Sequence, residues 1–288
     1  VLLWYVAVSV LCSTSILLLF KGLSRQEVPV SAVLTLNYAL CVLLGFLLQG
    51  GEGIPSVKWF PSWWPLTMVQ GAIMGVNFYL LAATAKHCGV TIASLSSRLA
   101  VAIPVVVAIP LFDEQFSLPL GFGVLLTLVA LTLATMARKE ARLATPFVFL
   151  PFVVFCLFGM HFVVLKWAQH AVLRPDEYHH YLMLSFCFAG LVSLAVTLHR
   201  HRGFNIFASK KLWASGLLLG AVNYGAILTL TMALNFPGTP SSVLFPTVSV
   251  SVVMLSALGG RILFQESLVR RQWWGLVSGV GAVILLNW

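Results

Sequence analysis

The chain has 288 residues, of which 60% are apolar and only 9% charged, and its formal net charge is +9. A water-soluble domain carries about 25% charged residues, so a globule of this size with a polar surface is excluded. The basic excess lies in short connecting segments, where it sets topology and meets lipid head groups; nucleic acid is not the expected partner.

Ten apolar stretches follow one another, at about 1–20, 29–49, 65–85, 90–111, 118–137, 147–166, 180–198, 212–234, 241–263 and 270–288. Each can cross roughly 30 Å of hydrocarbon as a helix. They lack the alternation of barrel strands and are about twice as long. In lipid a helix also satisfies its own backbone. The first stretch is expected to be a retained span, since it has neither a basic leader nor a small-residue cleavage site. The connections Gly50–Trp64, Trp167–His179 and His199–Lys211 leave no room for a soluble domain. Trp59, Trp63 and Trp64 in one connection, and Trp273 and Trp274 at the start of the last stretch, read as interfacial anchors. Cys12, Cys41, Cys88, Cys156 and Cys187 are odd in number and show no metal spacing, so inert thiols are expected. Neither a metal, nor a cofactor, nor a catalytic residue is predicted.

The sequence also repeats. Lys21 is answered by Lys166, Asn77-Phe78 by Asn223-Tyr224, and Glu114 by Glu266, at offsets of 145, 146 and 152 residues. Two units follow, 1–140 and 141–288, each with five apolar stretches. An odd number sends the second half into the membrane opposite to the first. The expected fold is therefore all-α and membrane-integral, with ten transmembrane helices as two inverted five-helix repeats, an architecture of secondary transporters.

The connections after stretches 1, 3, 5, 7 and 9 hold thirteen Lys and Arg residues, among them Lys21, Arg138, Lys139 and Lys210, and the alternate ones hold three. The positive-inside rule places the richer side in the cytoplasm and both termini outside.

Phe158-Gly159-Met160-His161-Phe162-Val163-Val164-Leu165-Lys166 resembles the W-G-x-x-F-x-x-x-K signature of EamA-type drug/metabolite transporters, with a degraded copy ending at Lys21. Gln265-Glu266-Ser267-Leu268, then Gln272-Trp273-Trp274-Gly275 and Gly279-Val280-Gly281, is similar to that family's G-E-x-L … Q-x-x-G … G-V ending. Asp113-Glu114, with Gly121 and Gly123, is the earlier copy; Asp113 and Gln265 stand where the family has Gly. The resemblance spans the whole chain. It implies a central cavity walled by helices 1–4 and 6–9, with helices 5 and 10 as outer braces. It also implies cytoplasmic termini, against the charge count.

Arg98, after Ser97 and before Pro104, is the one cation well inside a stretch. Burying it on insertion costs about 2.5–3.5 kcal/mol, tolerable beside a wet cavity, where a guanidinium holds a carboxylate or phosphate. Its alternative role is to snorkel or to brace its helix. Asn77 and Asn223 are candidates to bind solute from opposite walls, or to tie helices together. Tyr224, Tyr38 and Ser97 are further solute-binding candidates, and His161 offers a titratable ring. No acid lies within a stretch core, which disfavours a cation/proton antiporter and points to an anionic or zwitterionic solute such as an amino acid or organic acid. The expected function is transport by alternating access in a cell membrane, that of a bacterial inner membrane; an enzyme acting on lipid or isoprenoid is the alternative.

Overall fold

The computed structural model describes residues 1–23, 28–48, 62–88, 90–112, 114–115, 117–135, 149–174, 177–201, 205–265 and 269–286. Among these residues the protein is all-helical, with no strand. Glu266, Asp113, Trp59, Arg138 and Lys139, and the side chains of Lys21 and Cys88, lie outside the described parts.

The apolar stretches form helices where expected. They are α1 (Leu2–Leu23), α2 (Val30–Leu48), α3 (Trp64–Cys88), α4 (Val90–Leu99), α5 (Ala102–Leu111), α6 (Leu118–Thr135), α7 (Phe149–Trp167), α8 (Tyr178–His201), α9 (Lys210–Leu234), α10 (Ser241–Phe264) and α11 (Arg270–Leu286). A π turn, Ala168–Val172, prolongs α7. Six segments are long and apolar enough to cross a membrane: Leu2–Phe20, Val30–Leu48, Phe149–Val172, Tyr178–Arg200, Lys210–Leu234 and Ser241–Leu263. The apolar stretches Ser96–Leu111 and Leu118–Ala134 are shorter. Length and composition make this a multi-pass membrane protein.

The stretch expected as one span at 90–111 is divided between Leu99 and Ala102. Pro104 has no N–H to return to the Ala100 carbonyl, which accepts from Ile103 N at 3.1 Å instead. Around the stretch at 241–263, Pro240 precedes α10 and Pro246 lies inside it, and α10 is undivided there.

Contacts divide the chain into two compact units, 1–76 with 167–235, and 77–166 with 236–288. Each draws helices from both halves of the sequence. In the first, α2 packs against α8 and α9, and α1 against α9; in the second, α6 packs against α11 and α10, and α10 against α5 and α11.

Polar side chains are buried among apolar ones, and large apolar side chains face outward. In the first unit Asn37, Thr67, Ser185, Ser193, Thr197 and Asn223 are buried, while Leu11, Leu47, Leu191 and Leu218 are exposed. In the second, Val106, Phe122, Phe152 and Ile262 are exposed. Helices in lipid gain nothing by hiding leucine from leucine-like tails, so they associate through small residues and polar contacts.

The small residues make close contacts in reciprocal pairs. A Cβ at Gly45 would lie 2.8 Å from Met183 Cβ, and one at Gly190 would lie 3.4 Å from Tyr38 Cβ. Gly45 and Gly190 differ by 145 residues, as do Tyr38 and Met183. In the other unit a Cβ at Gly123 would lie 2.9 Å from Leu286, and one at Gly275 would lie 2.5 Å from Ala134 N. Gly123 and Gly275 differ by 152 residues, as do Ala134 and Leu286.

Candidate functional site

Polar side chains are buried in both units. In the first, α2, α8 and α9 bring together aromatic and amide groups. Tyr38 is wholly buried and its hydroxyl donates to the Met74 carbonyl at 3.2 Å. Its neighbour Asn37 is equally buried and accepts from Asn223 Nδ2 at 3.1 Å. Among the described residues Asn37 Nδ2 has no partner. The Cys41 thiol donates to the Gly220 carbonyl at 3.3 Å. Tyr224, 2% exposed, places its hydroxyl 2.8 Å from His179 Nδ1, with the two rings roughly parallel. Phe186 lies between Tyr38 and Tyr224, its centroid about 6 Å from each. In lipid such bonds substitute for water, each worth about 0.6 kcal/mol on average.

At one end of the same unit, Trp63 donates its indole N–H to Glu177 Oε1 at 3.2 Å and stacks edge-on against His180 and Tyr181. Glu177 Oε2 accepts from Arg174 N at 2.9 Å. Trp63 is therefore buried rather than an interfacial anchor; Trp273 and Trp274 are exposed as an anchor would be.

In the second unit Arg98 is half-buried in the last turn of α4, directly before the break, with half-buried Ser97 preceding it. A cation there meets the negative end of the helix dipole. Asn77 is buried; its Nδ2 donates to the Leu157 carbonyl at 3.5 Å, and its Oδ1 has no partner among the described residues. His161 is buried edge-on against Phe162, which meets Phe245, with ring centroids 5.1 Å apart in each pair.

Glu114 holds the start of α10: Oε1 accepts from Ser241 N at 2.7 Å and from Ser241 Oγ at 2.6 Å, and Oε2 accepts from Ser242 N at 2.9 Å. Burial pushes the carboxyl upward, but the bonds from Ser241 and Ser242 outweigh it and hold it below its ordinary range. The Lys166 ammonium also acts on this carboxylate through space and lies 5.7 Å over the Phe112 ring.

Arg98, Ser97, Asn77 and His161 thus fall in one unit, and Tyr38, Asn223 and Tyr224 in the other. Sequence reasoning missed Asn37 and the engagement of His179. The dipeptide Asn37-Tyr38 recurs as Asn223-Tyr224, a signal obscured by matching the latter to Asn77-Phe78.

No family model matches the sequence. A Haemophilus influenzae protein, described only as uncharacterized, is 21% identical over 289 residues, covering 96% of this chain and 95% of that one. A solved structure, described only as the crystal structure of a protein, has a TM-score of 0.77 and 15% identity, covering 98% of this chain and 94% of that one. The likeness shows a shared fold.

Proposed function

We propose that this chain is a secondary transporter of the EamA type. Its ten spans form two inverted five-helix halves, and it moves a small anionic or zwitterionic metabolite, such as an amino acid or organic acid, by alternating access in a bacterial inner membrane. The reciprocal glycine contacts support the repeat: when two like elements meet across a two-fold axis, each residue pair recurs with its members exchanged. Gly45 with Met183 and Gly190 with Tyr38 behave in this way, as do Gly123 with Leu286 and Gly275 with Ala134. The buried amides and tyrosines beneath apolar faces support a polar interior.

The observation that carries the reading is the break between α4 and α5 with Arg98 beside it. Interrupted helices inside a membrane protein expose backbone groups that bind solutes, and an intramembrane cation is costly unless it is used. Arg98 is the residue assigned to a carboxylate or phosphate. The test is uptake of labelled amino acids, organic acids and sugar phosphates into proteoliposomes. Wild type should accumulate at least one anion, Arg98→Ala should lose uptake about ten-fold or more, and Arg98→Lys should retain part of it. Absence of anion uptake by wild type, or unchanged uptake in Arg98→Ala, overturns the reading.

A further inference from the structure

His179 and Tyr224 come from positions 45 residues apart and meet in the first unit at 2.8 Å. His179 is the second residue of α8 and half-buried, so a proton can reach it from the helix end. Tyr224 is the fifteenth residue of α9 and buried. The pair therefore joins an accessible titratable ring to a hydroxyl deep in the polar interior.

The bond has a direction. A buried O–H needs an acceptor, and among the described residues the acceptor for Tyr224 is His179 Nδ1. The neutral ring must then carry its proton on Nε2. When a proton binds Nδ1, that nitrogen becomes a donor and the tyrosine oxygen accepts. The Tyr224 O–H must turn away, and it has lost its acceptor. An oxygen of a bound solute can take that place.

We propose that His179 and Tyr224 form a proton-binding site that couples protonation to the binding of a carboxylate-bearing solute, making the proton the coupling ion. This rests on the carrier reading above. By linkage, the proton and the carboxylate each raise the other's affinity by the same factor. Among the described residues the charged and titratable groups near the ring are few; Asp176 lies outside them, and α3, which packs on α8 at Gly71 and Gly75, carries no Asp, Glu, Lys or Arg before Lys86. Arg174 and Glu177 precede α8, and Tyr178 and His180 flank His179 on it. Tyr224 is on α9, and Tyr38 and Cys41 on α2; α2 carries no Asp, Glu, Lys or Arg. Glu177 is already held by Trp63 and the Arg174 N–H. The Tyr178 hydroxyl donates to Asn235 Oδ1 at 2.8 Å. His180 stacks against Trp63.

The test is binding of glutamate and of lactate to the purified full-length protein, read by tryptophan fluorescence. Their carboxylates stay ionised between about pH 5.5 and 8. Because protonation frees the Tyr224 hydroxyl, wild type should bind at least one probe about ten-fold or more tightly at the acid end. His179→Gln should flatten the profile, and the near-isosteric Tyr224→Phe should weaken binding and shrink its pH dependence. In proteoliposomes an inward proton gradient should accelerate wild-type uptake and leave His179→Gln unaffected. A flat wild-type profile, or a His179→Gln profile as steep as wild type, overturns the coupling while leaving the carrier reading intact. If wild type neither binds nor takes up either probe at any pH, carriage of carboxylates falls and the coupling falls with it.

Discussion

Replacing Glu114 should loosen α10 at its first turn. The first backbone N–H groups of any helix have no partner within it, and here one carboxylate satisfies two of them, at Ser241 and Ser242, and takes the Ser241 hydroxyl as well. Bonds to a charged group are each worth about 1.5–3 kcal/mol net, and losing a helix cap costs about 0.5–2 kcal/mol. Because Glu114 is only half-buried, water replaces part of the loss. Glu114→Ala should therefore cost about 2 kcal/mol, and Glu114→Gln, which keeps one acceptor oxygen, about 1 kcal/mol. The pH dependence has a fixed sign. The folded carboxyl lies below its ordinary value, so its contribution is complete above the unfolded value of about 4.3 and fades as pH falls through the folded value. Denaturant unfolding in detergent at pH 7 and near pH 3 reads this out. The gap between wild type and Glu114→Gln should be full at pH 7 and shrink at acid pH. A Glu114→Ala protein as stable as wild type at pH 7, or a gap unchanged at acid pH, refutes the reasoning.

Gly275→Ala puts a Cβ 2.5 Å from the Ala134 backbone nitrogen, which cannot yield as a side chain would. It should destabilise by about 1–3 kcal/mol, whereas Gly22→Ala, with nothing within 4 Å, should not; thermal melts of the two variants compare them directly. Asn37→Leu or Asn223→Leu alone strands the other buried amide, so each single change should cost more than half of the double change; a double-mutant cycle on unfolding free energies measures this. Gln265 closes α10 with φ 54° and ψ 35°, a left-handed conformation unfavourable for a residue with a Cβ. Gln265→Gly should raise stability by about 1 kcal/mol, seen as a higher melting temperature.

The helices were legible because composition and length decide them in lipid; every expected stretch but the divided one at 90–111 reappears as a helix within a few residues of its predicted limits. Side-chain partners were not legible. His179 and Tyr224 are 45 residues apart and Asn37 and Asn223 are 186 apart, and no periodicity reports which faces meet.

The matching of Asn77 to Asn223 fails for a related reason, and packing supplies the better register. A Cβ at Gly71 meets Phe188 and one at Gly75 meets Val192, whereas Gly216 meets Leu36 and Gly220 meets Leu40. With α2 placed on α8 at 145 residues, Phe188 corresponds to Leu43, which by the α9 contacts lies level with Asn223. Under the proposed repeat, Gly71 is therefore the counterpart of Asn223, at an offset of 152, the value already set by Gly123 and Gly275. The change from 145 to 152 is seven residues, close to two helical turns, so it keeps every helix face while moving the polar positions along it. Asn77 then falls opposite Thr229, which bonds back to its own helix at Gly225. Asn223 is held by Asn37 in the first unit, and Asn77 Oδ1, in the second, has no partner among the described residues. Asn77→Ala and Asn223→Ala should accordingly have unlike effects, the first falling mainly on solute affinity and the second mainly on stability. Binding and unfolding measured on both variants separate the two, and equal effects on both readouts would restore the symmetric pair.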